Sequence, residues 1–229
     1  MIGDAGKEPA ADEVFPAHLT HGYARFLAGD FLRECKTFHD LAEQGQHPHS
    51  LVIGCCDSRV MPEEIFGAGP GEIFDVRNVA NIVPPFTEVL SHHSVWAAVD
   101  YGVNVLRVQK IVVLGHARCG GVRAFVEAGA AAPGPGPHDA LGHWIGLIRP
   151  AAQRAPAAPG EPAQAYAERL ARESVRQSLE NLRGHPKLAA MELAGALSLH
   201  GAYFDIADAR LLALDERRGA FVPLGPATP

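Results

Sequence analysis

Residues 51–59 read Leu51-Val52-Ile53-Gly54-Cys55-Cys56-Asp57-Ser58-Arg59. The opening run is apolar and rich in β-branched side chains, as a buried strand requires, and the chemistry changes abruptly at Cys55. The same event recurs at residues 111–121, where Ile111-Val112-Val113-Leu114 runs into Gly115-His116-Ala117-Arg118-Cys119-Gly120-Gly121. Each run therefore delivers reactive side chains to the carboxyl end of a buried strand. In open α/β sheets that edge is where ligands collect.

The surrounding sequence supports such a sheet. Leu19, Tyr23, Phe26, Leu27 and Phe31 recur at helical spacing, so 17–44 reads as an amphipathic helical arm broken near Gly29-Asp30. Strands are predicted at Ser50–Cys55, Glu72–Arg77, Lys110–His116 and Ser198–Ile206, with Leu211–Asp215 closing the regular structure. Between them fall a short helix at Pro62–Phe66 and helices over 92–107, 120–130, 141–151, 163–183 and 186–195. Residues 131–137 and 155–162 are Pro-rich connections, and no internal repeat is present. This alternation predicts an α/β fold: a single domain with a central, mostly parallel β-sheet flanked by helices. The expected layout is a flexible tail at 1–16 and one domain over 17–229 that includes the arm.

The bulk numbers narrow the function classes. The chain has 229 residues, 47% hydrophobic and 20% charged, which suits one domain with a real core. A net charge of −6 with no Lys/Arg block argues against nucleic-acid binding. No stretch is apolar enough to span a bilayer, and the start of the chain has no secretory apolar segment. Four cysteines without a regular framework are expected to be reduced, which points to the cytoplasm.

Two thiolates and one imidazole form a zinc set that leaves a fourth position for water or substrate. Cys55 and Cys56 are neighbours at a strand end and point to opposite sides, so one of them can join His116 and Cys119. Alternation does not say which. Asp57 and Arg59 are two apart, and such a carboxylate stays ionised and hydrogen-bonded. It could orient a zinc-held hydroxide, or bind the zinc itself on release from Arg59.

The linked segments Cys55-x-Asp57-Ser58-Arg59, Arg77-Asn78-Val79-Ala80-Asn81 and Gly115-His116-x-x-Cys119-Gly120-Gly121 resemble those of the β-class carbonic anhydrases over residues 20–215. The resemblance implies one Zn2+ per chain held by Cys55, His116 and Cys119, with Asp57 and Arg59 as the catalytic dyad. Asp57 would be a fourth ligand in a closed state. Cys56 stands where the family usually has Ser and is read as a non-ligand. Gln46 resembles the substrate-binding glutamine of the plant-like subtype. Phe74, Val79 and Tyr101 resemble the apolar CO2 pocket, which the family builds across a dimer interface. The other subtype carries a Trp, an Arg and a Tyr that form an inhibitory bicarbonate site; here those positions are Val52, Arg77 and Glu180.

By the same resemblance, hydroxide generated at zinc attacks CO2, and Gln46 with the backbone at Gly120 and Gly121 holds the developing bicarbonate. The arm at 17–44 would pack on a partner subunit in a homodimer or a tetramer. Two other functions fit the same residues. One is hydrolysis of a CO2 analogue such as carbonyl sulfide, and the other is a zinc-binding bicarbonate sensor without turnover.

Several other groups have plainer roles. Cys35 and His39 are too few for a metal site, and His92, His93, His138, His143, His185 and His200 read as surface or fold-satisfied imidazoles. Trp96 and Trp144 read as core or interface aromatics. Arg77, Asn78 and Asn81 are expected to fix a loop by hydrogen bonds.

Overall fold

A computed structural model describes residues 14–87, 94–129, 136 and 138–225. The expectations for the tail before residue 14, for His92-His93 and for most of the 131–137 loop lie outside these residues. The chain divides into two compact units, one ending at Gln46 and the other beginning at His47.

The first unit holds helices α1 (Ala17–Ala28) and α2 (Asp30–Gln44). They break at Gly29, as the sequence predicts. Phe26, Phe31 and Phe38 meet there with ring centroids 5.5–6.0 Å apart. Neither helix buries a residue, and Leu19, Tyr23, Leu27 and Leu32 are exposed.

The second unit holds a six-stranded mixed sheet. Its strands are β1 (Ser50–Cys55), β2 (Ile73–Asn78), β3 (Lys110–His116), β4 (Ser198–Asp205), β5 (Arg210–Asp215) and β6 (Ala220–Pro223), in the order β2-β1-β3-β4-β5-β6. The first four are parallel, and β5 and β6 add an antiparallel edge. The helices are α3 (Pro62–Phe66), α4 (Ser94–Asn104), α5 (Gly120–Ala128), α6 (Ala140–Ile145), α7 (Arg149–Arg154), α8 (Ala163–Arg183) and α9 (Pro186–Leu193).

Two elements differ from the sequence expectation. Regular structure continues past Asp215, because the Asp215 carboxylate accepts from the Arg217 and Arg218 amides and Gly219 takes φ 63°, which closes a hairpin into β6. The expected helix at 141–151 is three short pieces, α6, a 3-10 turn at Gly146–Ile148 and α7. Pro150 falls in the first turn of the third piece, where its missing N–H costs nothing.

Strand alternation sorts the core into two unequal faces. Leu51 and Ile53, Ile111 and Val113, and Leu199 point to the face covered by α4, α8 and α9. On α8, Leu170, Val175, Leu179 and Leu182 recur at helical spacing and are fully buried. Burial of each contributes about 1.5–3 kcal/mol. The helix lies very close to β3, since a Cβ on Gly115 would meet Val175 at 2.6 Å. The opposite face carries a smaller cluster of Val52, Val60, Leu114 and Ala202, with Ile65 of α3 over it.

Asp75 also points to this thinner side, paired in register with Val52, and its Oδ1 is buried without a partner. Burial, reinforced by the Glu63 charge and opposed by Arg77, pushes its pKa up to about 6. The folded pKa thus lies above the unfolded value of about 3.9. Stability is therefore greatest while Asp75 is protonated and falls as pH rises through about 6. Asp75→Asn is expected to stabilise the fold by about 1 kcal/mol near pH 8, after discounting for its half-exposed position, and to change nothing below about pH 4. Melting curves at the two pH values check this.

Candidate active site

The parallel pairing of β1 with β3 builds the site. Ile53 lies beside Val113 in register, so two residues further Cys55 reaches the level of Gly115-His116. Cys119 then enters from the turn between β3 and α5. The ligand atoms of Cys55, His116 and Cys119 all lie within 4.8 Å of one another. This is the one such cluster among the described residues. Cys55 and Cys119 are 5% and 4% exposed and His116 is fully buried. Cys56 is exposed and lies outside this cluster, so of the two neighbours that alternation left open it is Cys55 that stands beside His116 and Cys119.

The donor set fits a zinc ion on its own chemistry. His116 Nδ1 lies 2.9 Å from the Ala117 carbonyl, which can only accept, so the proton sits on Nδ1. That tautomer turns the Nε2 lone pair toward the two sulfurs, and Nε2 is buried with no hydrogen-bond partner. A buried orphan acceptor beside two thiols is costly unless a cation fills the gap. The Cys119 thiol holds Cys55 well below the usual thiol range, against the effect of burial. The same contact, with burial, pushes Cys119 up. The Ala80 amide adds a hydrogen bond to Cys55 Sγ at 3.3 Å.

Asp57 stands next to this cluster, its Oδ2 4.0 Å from His116 Nε2. Arg59 holds it through three bonds. Its amide and Nε donate to Oδ1 at 3.0 and 2.9 Å, and Nη2 donates to Oδ2 at 2.7 Å. The Arg59 side chain keeps the Asp57 pKa far below the ordinary carboxylate range. Arg77 fixes the same loop from below. It donates to the Cys55, Asp57 and Val60 carbonyls, each at 2.8 Å, in the loop-fixing role expected of it. Asn78 clasps Ile82 through both its amide oxygen and nitrogen.

The glycines and apolar residues separate into two places. Gly120 and Gly121 open α5 directly after Cys119. A Cβ on Gly121 would meet Val79 Cγ1 at 2.7 Å, so only glycine lets α5 approach the 79–80 turn that supports Cys55. Val79 packs with the cluster around Cys55 and Cys119. Phe74 and Tyr101 lie together elsewhere, ring centroids 5.8 Å apart, with Phe74 packed into the α4 cluster and Tyr101 exposed. Within one chain they do not join Val79. Gln46 is an exposed residue at the end of the first unit.

Two further residues shape the site: Trp144, which the sequence marks only as a core or interface aromatic, and Glu168, which it does not single out. Trp144 Nε1 donates to the Val79 carbonyl at 2.7 Å, so this aromatic braces the 79–80 turn. Glu168 on α8 accepts from the Arg118 amide at 2.8 Å. Both contacts span 50 or more positions, and no local pattern marks them.

Comparison with known proteins agrees with this geometry. The family model described as carbonic anhydrase matches residues 50–211. Beta carbonic anhydrase 5, chloroplastic, of Arabidopsis thaliana is 35% identical over 188 residues, covering 80% of this chain and 60% of its own length. The carbonic anhydrase of Pseudomonas aeruginosa is 36% identical over 206 residues, 90% of either chain. The solved β-carbonic anhydrase CcaA superposes with a TM-score of 0.79 at 28% identity, over 91% of this chain and 92% of its own. With a buried Cys55–His116–Cys119 cluster at the end of a mixed sheet and a family match over most of its length, the chain belongs to the β-class carbonic anhydrases.

Proposed function

We propose that this protein catalyses the reversible hydration of carbon dioxide to bicarbonate and a proton, with one zinc ion held by Cys55, His116 and Cys119. The observation that carries the reading is the unpartnered His116 Nε2 between two buried thiols, 4.0 Å from a carboxylate committed to arginine. When bound there, zinc supplies a Lewis acid that brings the pKa of water toward about 7.

The chain's own residues supply the rest. Ionised Asp57 accepts a hydrogen bond from the attacking water and fixes the direction of its proton, while Arg59 keeps the carboxylate in place. Two thiolates make the site more electron-rich than three imidazoles and so less acidifying. The Ala80 amide on Cys55 Sγ draws some of that charge back. Gln46 and the amides of Gly120 and Gly121 hold the developing oxyanion. Val79 lines the apolar wall, and Phe74 and Tyr101 complete it from a second copy of the chain. A homodimer also covers the exposed apolar residues of α1 and α2, within a domain spanning 17–229. The compartment proposed is the cytoplasm.

The subtype is plant-like. Val52 is buried and Glu180 pairs with Arg154 at 3.4 Å, where the other subtype has Trp and Tyr. Arg77 is already spent on three carbonyls, which leaves an inhibitory bicarbonate without its arginine.

Stopped-flow CO2 hydration and metal analysis on one sample test the reading. The expected result is about one zinc per chain and a rate that rises between about pH 6.5 and 9. Stoichiometric zinc with no hydration at any pH would overturn it, and carbonyl sulfide turnover or bicarbonate binding alone would then be measured.

A further inference from the structure

We propose that Glu168 is a positioning residue for the metal-ligand turn: its carboxylate holds the Arg118 peptide in the left-handed conformation that aims His116 and Cys119 at one point. The inference rests on the reading of those two residues as ligands. His116 and Cys119 are three apart, and the chain must reverse between them without a regular hydrogen-bond ladder. Arg118 does this at φ 54°, a region that side chains other than glycine resist because Cβ crowds the following carbonyl.

The strained residue is held from both sides. Its N–H donates to Glu168 Oε1 at 2.8 Å, and its carbonyl accepts from Arg59 Nη2 at 3.2 Å. Arg59 also holds Asp57, so one contact ties the turn to the carboxylate and the other ties it to α8. Glu168 is itself fixed. Its Oε1 accepts from Gln164 at 2.6 Å, and its Oε2 accepts the Tyr203 hydroxyl. Tyr203 is fully buried on β4, in register with Gly115, and the Arg172 guanidinium caps its ring at 4.2 Å. The strand that carries His116 and the helix that carries Glu168 are thereby locked through Tyr203, and Arg118 is set against that lock. Groups that orient metal ligands from behind change metal affinity by about 10- to 100-fold when removed.

The alternative is that Glu168 merely seats α8 on Tyr203. Arg118→Gly separates the two, because glycine occupies left-handed backbone without help. The experiment uses the full chain and the variants Glu168→Ala, Glu168→Gln, Arg118→Gly and the pair Arg118→Gly/Glu168→Ala. Two quantities are read: amide hydrogen exchange at Arg118, and the rate of zinc loss to a chelator.

Glu168→Ala is expected to speed both, zinc loss by about 10- to 100-fold. Glu168→Gln keeps an acceptor oxygen for the Arg118 amide, and the Tyr203 hydroxyl can turn to accept from its amide nitrogen, so it should stay within about twofold of the wild type. In the Arg118→Gly background, loss of Glu168 should change zinc release by no more than about twofold. Unchanged exchange and zinc loss in Glu168→Ala, or the same penalty in both backgrounds, would overturn the proposal. If Glu168→Ala does not fold, Tyr203→Phe removes only the buttressing hydroxyl and must speed Arg118 exchange; no change there overturns it equally. A chain that holds no zinc at all would sink the metal reading, while Arg118 exchange would still decide the clamp.

Discussion

Cys119→Ser is expected to strip the site of zinc and abolish CO2 hydration while leaving the fold in place. Serine nearly matches cysteine in volume, so α5 and the 79–80 turn keep their packing. The hydroxyl cannot supply a thiolate at neutral pH, and the set falls to two ligands. Loss of a direct ligand should cost more than the roughly 100-fold seen when a group behind a ligand is removed. Cys119 is 4% exposed, so the new hydroxyl also costs about 1–3 kcal/mol if it finds no acceptor. Metal binding to the native state stabilises the wild type in proportion to the logarithm of free zinc. A chelator should therefore lower the melting temperature of the wild type and leave Cys119→Ser unmoved. Metal analysis and melting curves with and without chelator check both halves. Full zinc occupancy in the variant would remove Cys119 from the ligand set.

What could be read from the sequence was local, and what could not was long-range. The β-branched runs at 51–53 and 111–114 announce β1 and β3, and the spacing of Leu170, Val175, Leu179 and Leu182 announces α8, because periodicity is a property of neighbours in the chain. His116 and Cys119 share one turn and could be paired on sight. The choice between Cys55 and Cys56 could not be made from alternation, since it depends on which face of the sheet the turn from β3 into α5 lies on. Cys55 is buried beside His116 and Cys119 while Cys56 is exposed, which favours Cys55. Trp144 on the Val79 carbonyl, Gly121 against Val79 and Glu168 on Arg118 are contacts between segments far apart in sequence. Each residue looks ordinary where it stands in the chain. The β6 hairpin was missed for a different reason: its signal is the Asp215 and Gly219 turn chemistry, set among charged residues that resemble a tail.

Asp57→Asn is expected to lower the hydration rate by about 10²- to 10⁴-fold, the usual span for a positioned proton acceptor, with zinc content unchanged. The carboxylate is not one of the three clustered ligands, so its loss should leave the metal in place. Its work lies in Oδ1 and Oδ2, which face the Arg59 donors, with Oδ2 4.0 Å from His116 Nε2. An asparagine offers one oxygen and turns an NH2 group either toward Arg59, where donor meets donor, or toward the water it should accept from. The pH dependence sharpens the test. Arg59 holds the Asp57 pKa far below the ordinary range, so the carboxylate stays ionised at every pH where the enzyme would be assayed. A depressed pKa adds stability above the unfolded value of about 3.9, lost only as pH falls through the folded value. Asp57→Asn should then depress the whole pH–rate curve, and removal of a fixed negative charge beside the site should move its midpoint to lower pH. A midpoint that moves to higher pH would contradict a carboxylate ionised throughout, and the assignment of a permanently ionised acceptor would fail. A rate that does not fall at all would favour a site that binds bicarbonate without turning it over.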